Sequence, residues 1–234
     1  MTEQEGIFSE PIRIRKISEN ISYIEATDPL MQGTPLSADI GLIKARDFTW
    51  VYDVGNNAAS LNYLSGIPNK KIVISHFHPD HMGNLEYLMF DTLYVSHHTY
   101  RYLHKLPTPP DDSALYRSNP CEIQIVEKDI YFDDDCNIHI FPLPSSHARG
   151  CLGLEIDETY AFLGDAIYAS LRQDKKGYNV QLLKELIETL ESIKAPFVLP
   201  SHKKGLIRDK KSVLYMLNKI YSKRVAGNPF IEIH

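Results

Sequence analysis

The chain has 234 residues, 43% of them hydrophobic and 24% charged, with a formal net charge of −5. That length and composition suit a soluble globular protein with a substantial core, expected as a single domain over residues 1–234. The acidic balance and the lack of a basic block argue against broad electrostatic binding of nucleic acid. No apolar stretch is long enough to span a bilayer, so no membrane association is expected. Met1 to Pro11 is acidic and polar and lacks the basic and apolar regions of a secretory signal. The cysteines Cys121, Cys136 and Cys151 are odd in number and show no CxxC spacing. They read as small buried hydrophobes in a reducing cytoplasm, not as a disulfide framework.

In chain order, Ile12 to Ile17 alternates apolar and basic residues, as a half-exposed strand does. Ile21 to Ala26, Asp39 to Lys44 and Thr49 to Val54 continue an antiparallel meander, separated by Asn, Asp, Gly and Pro. The pattern then changes to strand–helix alternation, which favours βαβ units. Asn57 to Ser65 is expected to be a helix, Lys71 to Ser75 a strand, Gly83 to Phe90 a helix, Thr92 to Ser96 a strand and Thr99 to Lys105 a helix. Leu106 to Pro120 carries four prolines and reads as a loop at the edge of a site. Strand character returns at Gln124 to Glu127, Ile130 to Phe132, Asn137 to Leu143, Cys151 to Ile156 and Thr159 to Leu163. Gln181 to Lys194 repeats leucine and isoleucine at helical spacing. Pro196 to Pro200 reads as a strand, Asp209 to Val225 as an amphipathic helix capped by Asp209, and Phe230 to Ile233 as a last strand. Strands and helices thus occur in two similar halves, consistent with two packed sheets and outer helices.

The chemistry is concentrated in His76-Phe77-His78-Pro79-Asp80-His81, which follows the apolar run Lys71 to Ser75. Residues two apart in an extended segment face the same side, so His76 and His78 can share one ion. Pro79 turns the chain, which lets Asp80 and His81 face a second position. Imidazole and carboxylate suit zinc, and also iron or manganese. Three further candidates each end a hydrophobic strand: His147 after Leu143-Pro144, Asp165 after Leu163-Gly164, and His202 after Pro200-Ser201.

On these residues, together with Asp53 in Val51-Tyr52-Asp53-Val54-Gly55, the sequence resembles the metallo-β-lactamase superfamily from about Ile21 to His202. The resemblance implies an αββα sandwich, with two mixed sheets face to face and helices outside. It implies a first metal on His76, His78 and His147, a second on Asp80, His81 and His202, and Asp165 bridging the two. Asp53 is implied to support the metal loop without being a ligand. A carboxylate has two oxygens and can hold two cations. Two metals about 3.5–4 Å apart share a water whose pKa falls towards ~7, so the bridging hydroxide attacks while a metal polarises the substrate oxygen.

The expected function is therefore a cytoplasmic zinc hydrolase with two metals per chain, iron or manganese being the other options, that attacks a small ester, lactone or thioester. The fold does not select among the family's substrates. Ser145-Ser146-His147-Ala148-Arg149 lacks the Gly-His-Thr setting of glyoxalase II-type thioesterases. His78 stands where flavodiiron proteins have Glu, which disfavours oxygen or nitric oxide reduction. Asp80 and Tyr168 are the candidate catalytic side chains, Tyr168 as a hydrogen-bond donor to a substrate carbonyl or leaving group. Arg149, Lys203 and Lys204 lie beside ligands and are candidate contacts to an anionic substrate; His97 and His98 read as a helix start or surface pair. Two alternatives stand beside hydrolysis of a small acyl compound: a non-turnover metal-binding sensor or interaction protein, and a phosphodiesterase using the same metals.

Overall fold

Successive side chains of a strand face opposite sides of its sheet, and the central strands of this chain bury both sides. The computed structural model describes residues 12–26, 36–103, 121–172 and 174–233. Its first sheet has seven strands in sequence order: β1 (Ile14–Lys16), β2 (Ile21–Ile24), β3 (Ile40–Lys44), β4 (Thr49–Tyr52), β5 (Lys70–Val73), β6 (Thr92–Val95) and β7 (Glu122–Ile125). The meander β1 to β4 is antiparallel. From β4 to β7 the pairing is parallel. The crossovers carry α1 (Ala58–Ser65), α2 (Pro79–Met82) and α3 (His97–Leu103).

The second sheet uses β8 (Ile130–Asp133), β9 (Asn137–Leu143), β10 (Cys151–Ile156) and β11 (Tyr160–Gly164). A small third sheet contains β12 (Ser170–Arg172) and β13 (Lys175–Asn179). The helix α4 (Val180–Ser192) then leads to β14 (Phe197–Pro200), β15 (Arg208–Asp209), α5 (Lys210–Tyr221) and β16 (Phe230–Glu232). The second sheet runs β15-β14-β11-β10-β9-β8, and the third runs β12-β13-β16.

Three apolar clusters stack these layers. Trp50 and Tyr52 of β4, Tyr94 of β6, Leu152, Leu154 and Ile156 of β10, and Phe162 of β11 form the cluster between the two large sheets. The alternate residues Val51, Ile72, Leu93 and Val95 turn outwards onto Leu64, Met82 and Leu103 of the first three helices. On the far side, Phe141, Cys151, Leu163 and Val198 meet Leu183, Leu186, Leu190, Val213 and Leu217 of α4 and α5. Parity along each strand thus builds helix, sheet, sheet, helix in that order, the expected αββα sandwich.

The helix caps follow local chemistry. Asn57, Asn179 and Asp209 accept hydrogen bonds from Ser60 N, Leu182 N and Ser212 N at the starts of α1, α4 and α5. The expected helix over Gly83 to Phe90 is not found. The helix lies earlier, at α2 with Pro79 in its first turn, and only a 3₁₀ turn follows at Leu85–Tyr87. A side chain at Gly83 would come 2.2 Å from Asn56 Oδ1. The Asn84 amide donates to Val54 O, Asn57 O and Ser60 Oγ, tying the chain to α1 and breaking the helical path. β12 and β13 carry no apolar periodicity and were not expected, and α5 stops at Tyr221, short of Val225. His97 and His98 start α3 and are exposed. Leu106 to Pro120 lies outside the described residues. Cys136 and Cys151 are buried, Cys121 is half-buried, and all three are free thiols. No helix among the described residues is long and apolar enough to cross a membrane.

Candidate metal centre

Strand direction brings the candidate ligands to one edge of the sandwich. β4 and β5 are parallel, as are β11 and β14. β9 runs the same way as β11, since both are antiparallel to β10. Asp53 follows β4, the histidine segment follows β5, His147 follows β9, Asp165 follows β11 and His202 follows β14. Leu152 N donates to Ser75 O at 2.8 Å and stitches the two sheets together beside these ends. Gly164 has φ of +51°, and an added Cβ there would lie 2.7 Å from Ser75 Cβ and Oγ. Only glycine permits that approach, and the approach sets Asp165 against the histidine segment.

Two groups of side chains result, His76 with His78 and His147, and Asp80 with His81, Asp165 and His202. In the first, His76 Nε2 lies 2.9 Å from His78 Nδ1, which lies 3.1 Å from His147 Nε2. In the second, His202 Nε2 lies 3.1 Å from Asp80 Oδ2 and 3.4 Å from His81 Nε2. Asp165 divides its oxygens between them. Oδ2 is 3.3 Å from His147 Nε2, while Oδ1 is 3.5 Å from His81 Nε2 and 3.6 Å from His202 Nε2. All seven side chains expected as metal ligands are therefore together, and Asp165 stands between the two groups.

The local electrostatics differ between the groups. Burial, reinforced by neighbouring imidazoles, pushes His76 and His78 down from the ordinary histidine value, and burial also lowers His147. Three neutral imidazoles with converging lone pairs are a cation-binding arrangement. Burial likewise disfavours the His81 cation, but Asp53 and Asp165 outweigh it and push His81 up to about 10. His202 is raised too, its burial being offset by hydrogen bonding to Asp80 and the charge of Asp165. Burial works against the Asp165 carboxylate, yet the facing imidazoles of His81, His202 and His147 hold it below the usual carboxylate value. Asp165 Oδ1 is buried without a hydrogen-bond partner. A buried acceptor of that kind calls for a missing partner, and a cation shared with His81 and His202 would supply it. The donor set thus fits two metal ions.

Residues behind the ligands hold the site. Asp53, fully buried with φ of +61°, accepts from Ser75 N at 2.7 Å through Oδ1. Its Oδ2 accepts from Ser75 Oγ at 2.8 Å and from His81 Nδ1 at 2.7 Å. That places a proton on His81 Nδ1 and leaves Nε2 facing the site. Val54 N and Gly55 N both donate to His81 O, fixing the helical turn that carries it. Asp39, just before β3, accepts from His202 N at 2.8 Å. Ser75, Asp39 and Ser201 were not singled out from sequence. Asp39 and His202 are 163 residues apart, and no local pattern links them.

The Tyr168 hydroxyl donates to Ser201 O, and its ring lies 6.4 Å from that of His147. Lys203 Nζ sits 5.3 Å from the Tyr168 ring centroid. Arg149, Lys203 and Lys204 are exposed. His76 and His81 are fully buried, whereas the side chains of His147 and His202 each keep 21% exposure, so the cluster opens on their side.

Comparison with known proteins agrees with this geometry. No curated protein sequence matches the chain. A metallo-beta-lactamase from Pontibacter korlensis is similar in structure, with TM-score 0.61 and 14% identity, over 88% of this chain and 97% of that one. A flavoprotein from Thermotoga maritima gives TM-score 0.66 at 14% identity, over 92% of this chain and 62% of that one. The flavodiiron core of Flv1 from Synechocystis gives TM-score 0.66 at 15% identity, again with 92% and 62% covered. This chain therefore spans about three-fifths of those two longer chains, and at such identities the likeness is one of fold. The family model described as "Metallo-beta-lactamase superfamily" matches residues 33–202, a span that ends on His202 and contains every side chain of the two groups. With that match over most of its length, an αββα sandwich and two ligand groups at one sheet edge, the chain belongs to the metallo-beta-lactamase superfamily.

Proposed function

We propose that this protein is a dinuclear metal-dependent hydrolase of a small ester, lactone or thioester, working in the cytoplasm with zinc as its metal. The observation that carries this reading is the split of Asp165, one oxygen towards each ligand group. His76, His78 and His147 would hold one ion, Asp80, His81 and His202 the other, and Asp165 both. When bound, such a pair supplies Lewis acidity and a water activated for attack at neutral pH. The chain's own groups do the rest. Asp53 keeps the His81 proton on Nδ1, away from the site. The buried His76 and His81 form the floor, and the half-exposed His147 and His202 leave the side on which a substrate binds. Tyr168 borders that side, where breaking its bond to Ser201 O would free its hydroxyl for a substrate oxygen.

His78 at the second ligand position supports hydrolysis over redox chemistry. Imidazole with carboxylate suits zinc, and the Glu that the resemblance implies for flavodiiron proteins is absent there. The net charge of −5 favours a small substrate over a polyanion, which places phosphodiester cleavage of nucleic acid second. Metal analysis of the purified protein and a panel of acyl and phosphodiester substrates test the reading. The expected result is about two metals per chain and acyl hydrolysis that is lost on chelation and restored by zinc or manganese. Asp165→Ala is expected to abolish turnover and lower metal content; full activity in that variant, or no turnover of any substrate by the metal-loaded protein, refutes it.

A further inference from the structure

His202 is held in a backbone conformation that side chains other than glycine seldom adopt, with φ of +59°. Something must hold it there, and the contacts that do so come from a distant segment. Asp39 Oδ2 accepts from His202 N at 2.8 Å and from Ser201 Oγ at 3.3 Å, while Oδ1 accepts from Ala26 N at 2.9 Å. Asp39 N donates back to Ser201 Oγ at 2.9 Å. The neighbouring Ala38 N donates to Asp80 O at 2.9 Å. Two adjacent residues therefore clasp both loops that bring Asp80 and His202 within 3.1 Å of one another. Asp39 is only 8% exposed, so its carboxylate serves these donors and is not a solvent-facing charge. Of its hydrogen bonds, the one to a ligand residue goes to His202 of the second group, while His76 and His78 are carried by the segment after β5 and His147 by the loop after β9.

We propose that Asp39 is a positioning residue for the second metal ion alone, holding the His202 loop in the strained backbone geometry that aims the imidazole at Asp80 and His81. The proposal rests on the dinuclear reading of the site. Both carboxylate oxygens are used as acceptors, and an amide offers only one. In Asp39→Asn, close to isosteric, the NH₂ must face a backbone N–H of Ala26 or His202, so the clasp is expected to be lost although the volume is kept.

The test is zinc titration of the full chain against a competing chelator, for the wild type, Asp39→Asn and Asp39→Ala. The wild type is expected to bind two zinc ions. Both variants are expected to bind the first zinc within about threefold of the wild type and the second roughly 10–100-fold more weakly, the usual effect of removing a group that orients a ligand. Should Asp39→Ala not fold, Asp39→Asn carries the test. If a wild type that binds two ions is matched by Asp39→Asn at both, or if both sites weaken equally, the residue has no selective role and the proposal falls. A wild type that binds only one zinc overturns the dinuclear reading and this proposal with it.

Discussion

Asp53→Asn isolates how one buried carboxylate decides which nitrogen of His81 is free to bind. In the native site Oδ2 accepts from His81 Nδ1 at 2.7 Å and from Ser75 Oγ at 2.8 Å, and Oδ1 accepts from Ser75 N at 2.7 Å. Ser75 N can only donate, so in the variant the amide oxygen must take that position and the NH₂ must face His81. A donor now points at Nδ1. With the Asp53 charge gone the imidazolium loses its main support, and the neutral ring accepts from the amide at Nδ1 and keeps its proton on Nε2, the nitrogen that faces Asp80, Asp165 and His202. Restoring the binding tautomer would set two buried donors, the amide NH₂ and Nδ1–H, against each other, at a cost of roughly 1.5–3 kcal/mol. At about 1.4 kcal/mol per decade that is roughly a 10–150-fold loss of affinity for the second ion. The volume of the side chain is unchanged, so the fold and the first ligand group should be spared. Calorimetric zinc titration reads the two affinities, and the ¹⁵N chemical shifts of the His81 ring read the tautomer. Native affinity at both sites, or His81 still protonated on Nδ1, would refute the reasoning.

The two ligand groups should also load with different pH dependence. Without metal, His81 is raised to about 10, so at neutral pH it is an imidazolium that must release its proton to bind. His76, His78 and His147 are lowered and already neutral. Affinity for the second zinc is expected to rise roughly tenfold per pH unit between about pH 7 and 9, with affinity for the first nearly flat; equal slopes in chelator-competition titrations would contradict this. The same raised pKa stabilises the metal-free fold fully below the ordinary value of 6.5, and that contribution is lost as pH climbs through about 10. Urea unfolding of metal-free protein should accordingly show His81-dependent stability falling on the alkaline side. Gly164→Ala should lower stability by about 2–5 kcal/mol, combining a left-handed φ with a methyl forced against Ser75. Differential scanning calorimetry should show Tm down by roughly 5–15 °C, and an unchanged Tm would mean that Ser75 gives way freely.

Much of the architecture is local and so legible in the chain. Alternation in β4, β10 and β11 assigns each side chain to the inter-sheet core or to a helix-facing layer, because strand periodicity leaves no other choice. The Asn57 and Asp209 caps and the boundaries of β9 and β10 follow from residue chemistry within a few positions. The histidine segment was legible for the same reason: two imidazoles and a carboxylate beyond a proline define a cation-binding turn without help from the rest of the chain. His147, Asp165 and His202 were suggested by their place after strands, but their convergence depends on strand direction and sheet pairing. Asp39, Ser75 and Ser201 were illegible. A carboxylate before β3 finds its partner 163 residues later, and nothing in either local sequence records that meeting. Short-range chemistry decided which groups are able to bind cations; only the packing of two sheets, and one glycine that lets Asp165 close on Ser75, decided that they would do so at a single place.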